Sequence, residues 1–479
     1  MTDSVSAQPS KASSPDPDHD TSDVRRRVDP DFYHELKGQV LDGWRWLDRA
    51  IVLAGAAIAG GMVVLFTLMS DAAFGLFGAL TARAWWLPLL WTPLLTAGIV
   101  WLTRRYAPLS SGSGIPQVIA AQDAQLDDAG RGWFVSLKLA IAKLLLATAG
   151  FAAGLSIGKE GPSVQIAAGV LLYSRRWLSA GVVTPQALLV AGGAAGIAAA
   201  FNAPLAGVVF AFEELSRRME MRYSGMVIAA IVLAGLMGVS AFGDKAYFGP
   251  IHMPPPDWHL ALPGLMVTLV TGLAGGLFAK LMIVTLTSGA VRGPQSRWAA
   301  PLRWLALWRR RWPVRFAAGL GLVVAVIGIA AEGSTFGSGA AAATRLLHGE
   351  TPTAALAFGP LKFLTTWLTA WSGVPGGIFA PSLATGAGIG YDVARLWHDG
   401  GDTALIAIGM AGFLAAVTQA PITSFLIVME MIDGRPMVLS LMMVAMVAAG
   451  ISRMISRPLY ATLAAGMLAQ FRLLHRRHA

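Results

Sequence analysis

Five stretches of this chain, residues 50–69, 177–212, 223–243, 258–279 and 403–429, contain no Asp, Glu, Lys or Arg. Uncharged, mostly apolar runs of about 18 residues or more are long enough to cross a bilayer as helices. They predict an all-α integral membrane protein. Only 13% of the 479 residues are charged, where soluble chains carry roughly 25%. A transmembrane barrel would show short alternating segments instead, and is excluded.

The 37 Lys and Arg against 27 Asp and Glu are a topology signal and not a sign of nucleic acid. Basic residues precede the first apolar run (Arg25, Arg26, Arg27, Lys37, Arg45, Arg49) and follow the last (Arg472, Arg476, Arg477). Both termini are therefore expected in the cytoplasm. Residues 1–30 read as a disordered cytoplasmic tail, with no apolar core of a signal peptide. Residues 31–48 read as an amphipathic interfacial helix, and residues 31–479 as one transport domain. The Pro-rich stretch 242–262 has Lys245 as its only Lys or Arg and is expected outside, whereas 292–315 holds seven Arg and is expected inside. The first half then crosses the membrane an odd number of times.

Two halves of opposite orientation predict an internal repeat, and one is visible. Lys143 stands nineteen residues before Pro162, and Lys362 nineteen before Pro381. Ala203-Pro204 is followed nine residues after the Pro by Glu213, and Ala420-Pro421 at the same spacing by Glu430. Gly193 and Gly196 have counterparts in Gly409 and Gly412, and the offset stays close to 217 residues. The repeats run from about 50–241 and 262–470. Inverted repeats are the architecture of secondary transporters, with a substrate site at their interface.

Three Gly- and Pro-bearing stretches interrupt the apolar sequence: Gly112-Ser113-Gly114-Ile115-Pro116, Gly158-Lys159-Glu160-Gly161-Pro162 and Gly376-Gly377-Ile378-Phe379-Ala380-Pro381. Pro suits a first helical turn and Gly frees the backbone, so these read as broken helices. Their free N–H groups must face protein, water or ligand, and several converging positive ends make an anion site. Glu160 lies inside one of them. A buried carboxylate there can take the anion's place when charged and withdraw when protonated, which makes it gate and proton carrier together. The bland alternatives are a cap on its own helix or a pair with Lys159. Its repeat counterpart is Phe379. Either Glu213 or Glu214 could relay protons to it, with Lys143 as buried partner; the bland alternative is pairing to Arg217 and Arg218.

At these residues the chain resembles the CLC family of chloride channels and chloride/proton exchangers. The likeness runs from about residue 35 to the end and includes Phe201-Asn-Ala-Pro-Leu-Ala-Gly207 before Glu213-Glu214, and Pro458-Leu-Tyr460. It implies a CLC-type homodimer of tilted and broken helices, with one anion path per subunit, in a bacterial inner membrane. It implies anion coordination by the Ser113 and Tyr460 hydroxyls and the N–H groups of Ile378 and Phe379. Glu160 would be the external gate and Glu214 the internal proton-transfer residue, whose presence favours exchange over a passive chloride channel. Ser113 implies chloride. Family members often carry an acidic residue directly after this segment, where this chain has Gln117, with Ile119 two positions on. The chain ends soon after Tyr460, so no nucleotide is expected to bind. No cofactor, metal or catalytic residue is expected either.

Other function classes fare poorly. Gly154-Leu-Ser-Ile-Gly158 fits G-x-S-x-G, but the eight His lie in tails or near segment ends, and a Ser nucleophile needs a base. A P-loop fails at Ala153 and lacks Ser or Thr after Lys159. The absence of Cys removes disulfides, thiolate nucleophiles and Cys-based metal sites.

Overall fold

The computed structural model describes residues 43–179, 183–216, 224–243, 246–249, 251, 258–287, 300–350, 355–397 and 402–475. It has two units, Met1–Asp48 and Arg49–Ala479, and the second holds the site. The expected tail and most of the interfacial helix lie outside the described residues. From Gly43 onward that stretch is already the start of helix α1, Gly43–Arg83, and so continuous with the first apolar run.

The regular elements of the described residues are helices, and six of their segments are long and apolar enough to cross a membrane. In the first half α2 (Pro88–Tyr106), α3 (Ile115–Ala121), α4 (Asp128–Phe134) and α5 (Leu137–Ala152) lead to α6 (Glu160–Ser174), α7 (Pro185–Phe201), α8 (Pro204–Phe210) and α9 (Ser224–Phe242). In the second half α10 (Ala261–Thr287), α11 (Ala300–Arg311), α12 (Pro313–Ala330), α13 (Ala340–Leu347) and α14 (Ala355–Ser372) precede α15 (Phe379–Trp397). The chain then continues through α16 (Asp402–Thr418), α17 (Pro421–Ile432), α18 (Val438–Ile455) and α19 (Leu459–His475).

Two of the uncharged runs differ from the single spans that their length suggests. Run 177–212 breaks between α7 and α8, where Asn202 takes φ 55°, and run 403–429 breaks between α16 and α17, where Gln419 takes φ 59°. Each break is followed by Ala-Pro, and Pro pre-sets the first turn of the next helix. A left-handed residue ends one helix and a Pro starts another, so neither length nor hydropathy reveals the interruption.

The repeat is physical as well as sequential. Helices α6 and α7 pack closely, and so do their counterparts α15 and α16. Small residues permit it: a Cβ on Gly192 would lie 2.6 Å from Ala168 Cα, and Gly386 and Gly409 leave no room for a Cβ on either. Lys143 and Lys362 are both fully buried. Each donates to two carbonyls of the loop before a short helix, Lys143 to Ser110 (2.6 Å) and Gly112 (2.7 Å), and Lys362 to Thr335 (2.9 Å) and Gly337 (2.7 Å).

The two halves also cap each other. Glu213 accepts the N–H groups of Ile422 (3.0 Å) and Thr423 (2.6 Å) at the start of α17. Glu430 accepts those of Leu205 (3.2 Å) and Ala206 (2.7 Å) at the start of α8. Pro at the first position of each helix has no N–H to satisfy, and the carboxylate from the other half takes the next two. Glu213→Gln and Glu430→Gln are each expected to cost about 1–2 kcal/mol, read as a lower unfolding midpoint in detergent. Midpoints unchanged in both single variants would contradict the reciprocal cap.

Candidate functional site

The three interrupted segments meet at one backbone junction. Gly158 and Gly377 exchange both N–H···O bonds at 2.8 Å. Gly112 and the segment before Gly377 are tied as well: Gly112 donates to Val374 O (3.4 Å) and Gly376 to Gly112 O (3.1 Å). Only Gly fits here. A Cβ on Gly377 would lie 2.8 Å from Gly161 N and 2.9 Å from Gly158 O, and Gly112 and Gly114 hold φ of 71° and 111°. Beyond the junction, α6 begins at Glu160 and α15 at Phe379, while α3 begins at Ile115 just past Ser113. First-turn N–H groups have no partner within their own helix, so those of Ile378, Phe379 and Ala380 are available to an anion.

In this structure a carboxylate occupies that position. Glu160 is fully buried, and its Oε2 accepts the Ala380 N–H at 3.4 Å. Its Oε1 has no hydrogen-bond partner. Lys159 does not neutralise it by direct pairing. Its ammonium lies 3.4 Å from both carboxylate oxygens of Asp71 instead. Of the two bland alternatives for Glu160, pairing with Lys159 gives way to a bond with the helix start of the opposite half.

On the other side of the junction stand two hydroxyls. Ser113 Oγ and Tyr460 OH are buried and lie within reach of each other, yet neither completes a hydrogen bond of normal geometry. Ser113, Tyr460 and Ile378 line one cavity of about 180 Å³, together with Gly112, Pro116 and Arg309. The Tyr460 ring stacks on Phe379 at 6.2 Å and 10°, and Phe379 touches Phe201 and Phe210 at 6.2 Å each. Two buried hydroxyls without full partners cost free energy unless a ligand completes them. An anion held by hydroxyls and helix N-termini needs no fixed cation, and so is bound without being trapped.

Glu213 and Glu214, adjacent in sequence, separate in role. Residues Ala211–Leu215 form a π-turn, closed by the Ser216 N–H on Ala211 O at 2.9 Å. Such turns re-aim side chains and recur at functional sites. Glu213 is bound to α17, whereas Glu214 lies near enough to Tyr460 to act on it electrostatically. Arg217 and Arg218 lie outside the described residues.

Lys143, expected as a buried partner of the proton relay, bonds neither Glu213 nor Glu214. Its ammonium bonds backbone carbonyls beside Ser113, so it fixes the loop that presents that hydroxyl. Gln117 braces the same loop, donating to Ser111 O (2.7 Å) and Leu109 O (3.1 Å). Gln165 joins it, donating to Leu109 O at 3.3 Å and to Phe134 O on α4 at 2.8 Å. Sequence reading missed Asp71 and Gln165, which sit inside helices without any local motif. Ser156, the candidate nucleophile, shares a 2.8 Å bond with Thr366 Oγ1.

Known proteins resemble this chain in sequence and in fold. The family model described as voltage gated chloride channel matches residues 94–453. The H(+)/Cl(-) exchange transporter ClcA of Cronobacter sakazakii is 30% identical over 414 residues, 81% of this chain and 81% of the relative. ClcA of Vibrio cholerae is 30% identical over 385 residues, 76% of this chain and 75% of the relative. A slow cyanobacterial Cl⁻/H⁺ antiporter has the same fold, with TM-score 0.72 and 23% identity, covering 88% of this chain and 97% of that one. A CLC-type fluoride/proton antiporter gives 0.70 and 20%, covering 86% and 96%.

Proposed function

Because this chain belongs to the voltage-gated chloride channel family, we propose that it is a secondary transporter exchanging chloride for protons across a membrane. One observation carries the reading: the Glu160 carboxylate lies at the start of α15, where the resemblance places an anion. An anion and this carboxylate compete for one set of N–H groups. Charged, Glu160 holds the position and blocks the path. Protonated, it loses its attraction to the positive helix ends, and chloride can enter. A proton therefore moves with each swing that admits an anion.

The arginine bias assigns the sides. Arg309, on the arginine-rich segment, lines the Ser113 cavity, so that cavity faces the cytoplasm. Glu214 then lies on the inner side, near Tyr460, and serves as the proton's inner station. Chloride leaves between Ser113 and Tyr460, while the proton leaves by Glu214, so the two paths share only the outer part. All of these groups come from one chain, so each protomer has its own path. The protein acts as a homodimer in a bacterial inner membrane, with both termini cytoplasmic.

Glu214→Gln tests the inner station separately from the gate. Its proton flux in liposomes is expected to fall about 100-fold, with chloride flux retained. Glu213→Gln should lower stability and leave the coupling ratio unchanged. Proton flux undiminished in Glu214→Gln would remove Glu214 from the pathway.

A further inference from the structure

The internal repeat copies more of the site than the broken helices. Gly112-Ser113-Gly114 precedes α3, and Gly337-Ser338-Gly339 precedes α13. Gly337 and Gly339 hold φ of 63° and 82°, matching the positive φ of Gly112 and Gly114. Lys362 bonds the Gly337 carbonyl at 2.7 Å, just as Lys143 bonds that of Gly112. The two loops therefore share sequence, backbone conformation and lysine clasp.

The aromatic hydroxyl is copied too. Tyr460 follows α18, and Tyr247 follows α9, the counterpart of α18 in the first half. The rings form a chain across the junction: Tyr247 to Phe201 at 6.4 Å, Phe201 to Phe379 at 6.2 Å, and Phe379 to Tyr460 at 6.2 Å. Ser338 and Tyr247 line one cavity of about 750 Å³. Lys159, the residue immediately before the gate, lines it as well and lies 5.7 Å from the centre of the Tyr247 ring. Thr67 also lines this cavity; it is 4% exposed, and its hydroxyl has no hydrogen-bond partner. A buried hydroxyl that lacks a partner beside a polar cavity is one that a ligand or water can complete.

We infer that Ser338, Tyr247 and Thr67, at the start of α13 and beside Lys159, form a second binding site for small monovalent anions such as chloride. It is the repeat-related counterpart of the Ser113–Tyr460 site and lies on the opposite side of Glu160. The inference rests on the exchange reading and extends it: chloride arriving from outside docks here before Glu160 withdraws. The cavity is about four times the volume of its counterpart, and in place of a closed cage its wall carries Arg345 and Lys159, the latter 3.4 Å from Asp71 on the same wall. It therefore collects anions more than it selects them.

Anomalous diffraction from crystals of the full chain grown in bromide tests this directly. Two peaks are expected, one in the Ser113 cavity and one in the Ser338 cavity. Ser338→Ala and Tyr247→Phe should each deplete the second peak and leave the first, which also reports that the variant is folded. In liposomes both should raise the external chloride concentration for half-maximal exchange about tenfold, with the internal one unchanged. A first peak without a second, or a second peak indifferent to both substitutions, would overturn the site. Absence of both peaks would overturn the exchange reading itself.

Discussion

Replacing Glu160 with Gln is expected to lower proton flux by at least about 100-fold, the scale of losing a positioned proton-transfer group, while chloride continues to pass. The amide has nearly the shape of the carboxylate but no charge, so the attraction to the helix starts is lost and with it the competition against chloride. Chloride flux should then become independent of pH, because the group that linked them no longer titrates. Parallel flux assays for chloride and protons on the same liposomes check this. Proton transport persisting in Glu160→Gln would show that another group carries the proton past the junction.

Gly377→Ala is expected to abolish exchange through geometry alone. The added Cβ would press on Gly161 N and Gly158 O at under 3 Å, and both belong to the backbone that presents Glu160. Overpacking of this kind costs about 1–3 kcal/mol. A displacement of about 1 Å at a site built from aligned N–H groups can lower the rate roughly 100-fold. The variant should still insert and assemble, since the helices on either side keep their contacts. Size-exclusion chromatography together with chloride flux separates the two effects. Normal flux in Gly377→Ala would mean that the junction yields and is not the rigid frame described above.

Much of this architecture was legible because the repeat leaves charged and Pro residues at matching positions in an otherwise apolar text. Lys143 and Lys362, Pro204 and Pro421, and Glu213 and Glu430 pair in the structure as their spacing suggested. Their partners were not legible. Glu213 caps a helix in the other half, a contact between residues 209 and 210 positions apart that no local pattern encodes. Lys143 read as a proton-relay partner because a buried cation usually has a carboxylate nearby, yet two carbonyls of an irregular loop satisfy it. The second Gly-Ser-Gly stood in plain sight at 337–339, but its offset of 225 from the first departs from the common 217, so alignment of the halves at one spacing passes over it. The breaks at Asn202 and Gln419 were hidden for a different reason: a left-handed residue and a Pro interrupt the backbone without altering hydropathy.

Among the residues assigned to anion binding, Ser113, Tyr460 and Ile378 share a cavity, while Phe379 supplies the ring that Tyr460 stacks upon. Gly158, Gly161 and Gly377 serve the junction by permitting close approach, with Pro381 packed against Gly158; Gly112 serves it by its φ of 71°, and Ala380 supplies the N–H that holds Glu160. Sequence could name the segment but not which of its N–H groups meets the carboxylate, because that depends on how the two halves dock.

The measurement closest to the central claim is proton movement into liposomes containing the purified full chain, driven only by an outward chloride gradient with the membrane potential clamped. Uphill proton uptake that stops in Glu160→Gln is the expected result. Chloride efflux with no proton movement in the unmodified protein would contradict exchange and identify a passive chloride channel of the same fold.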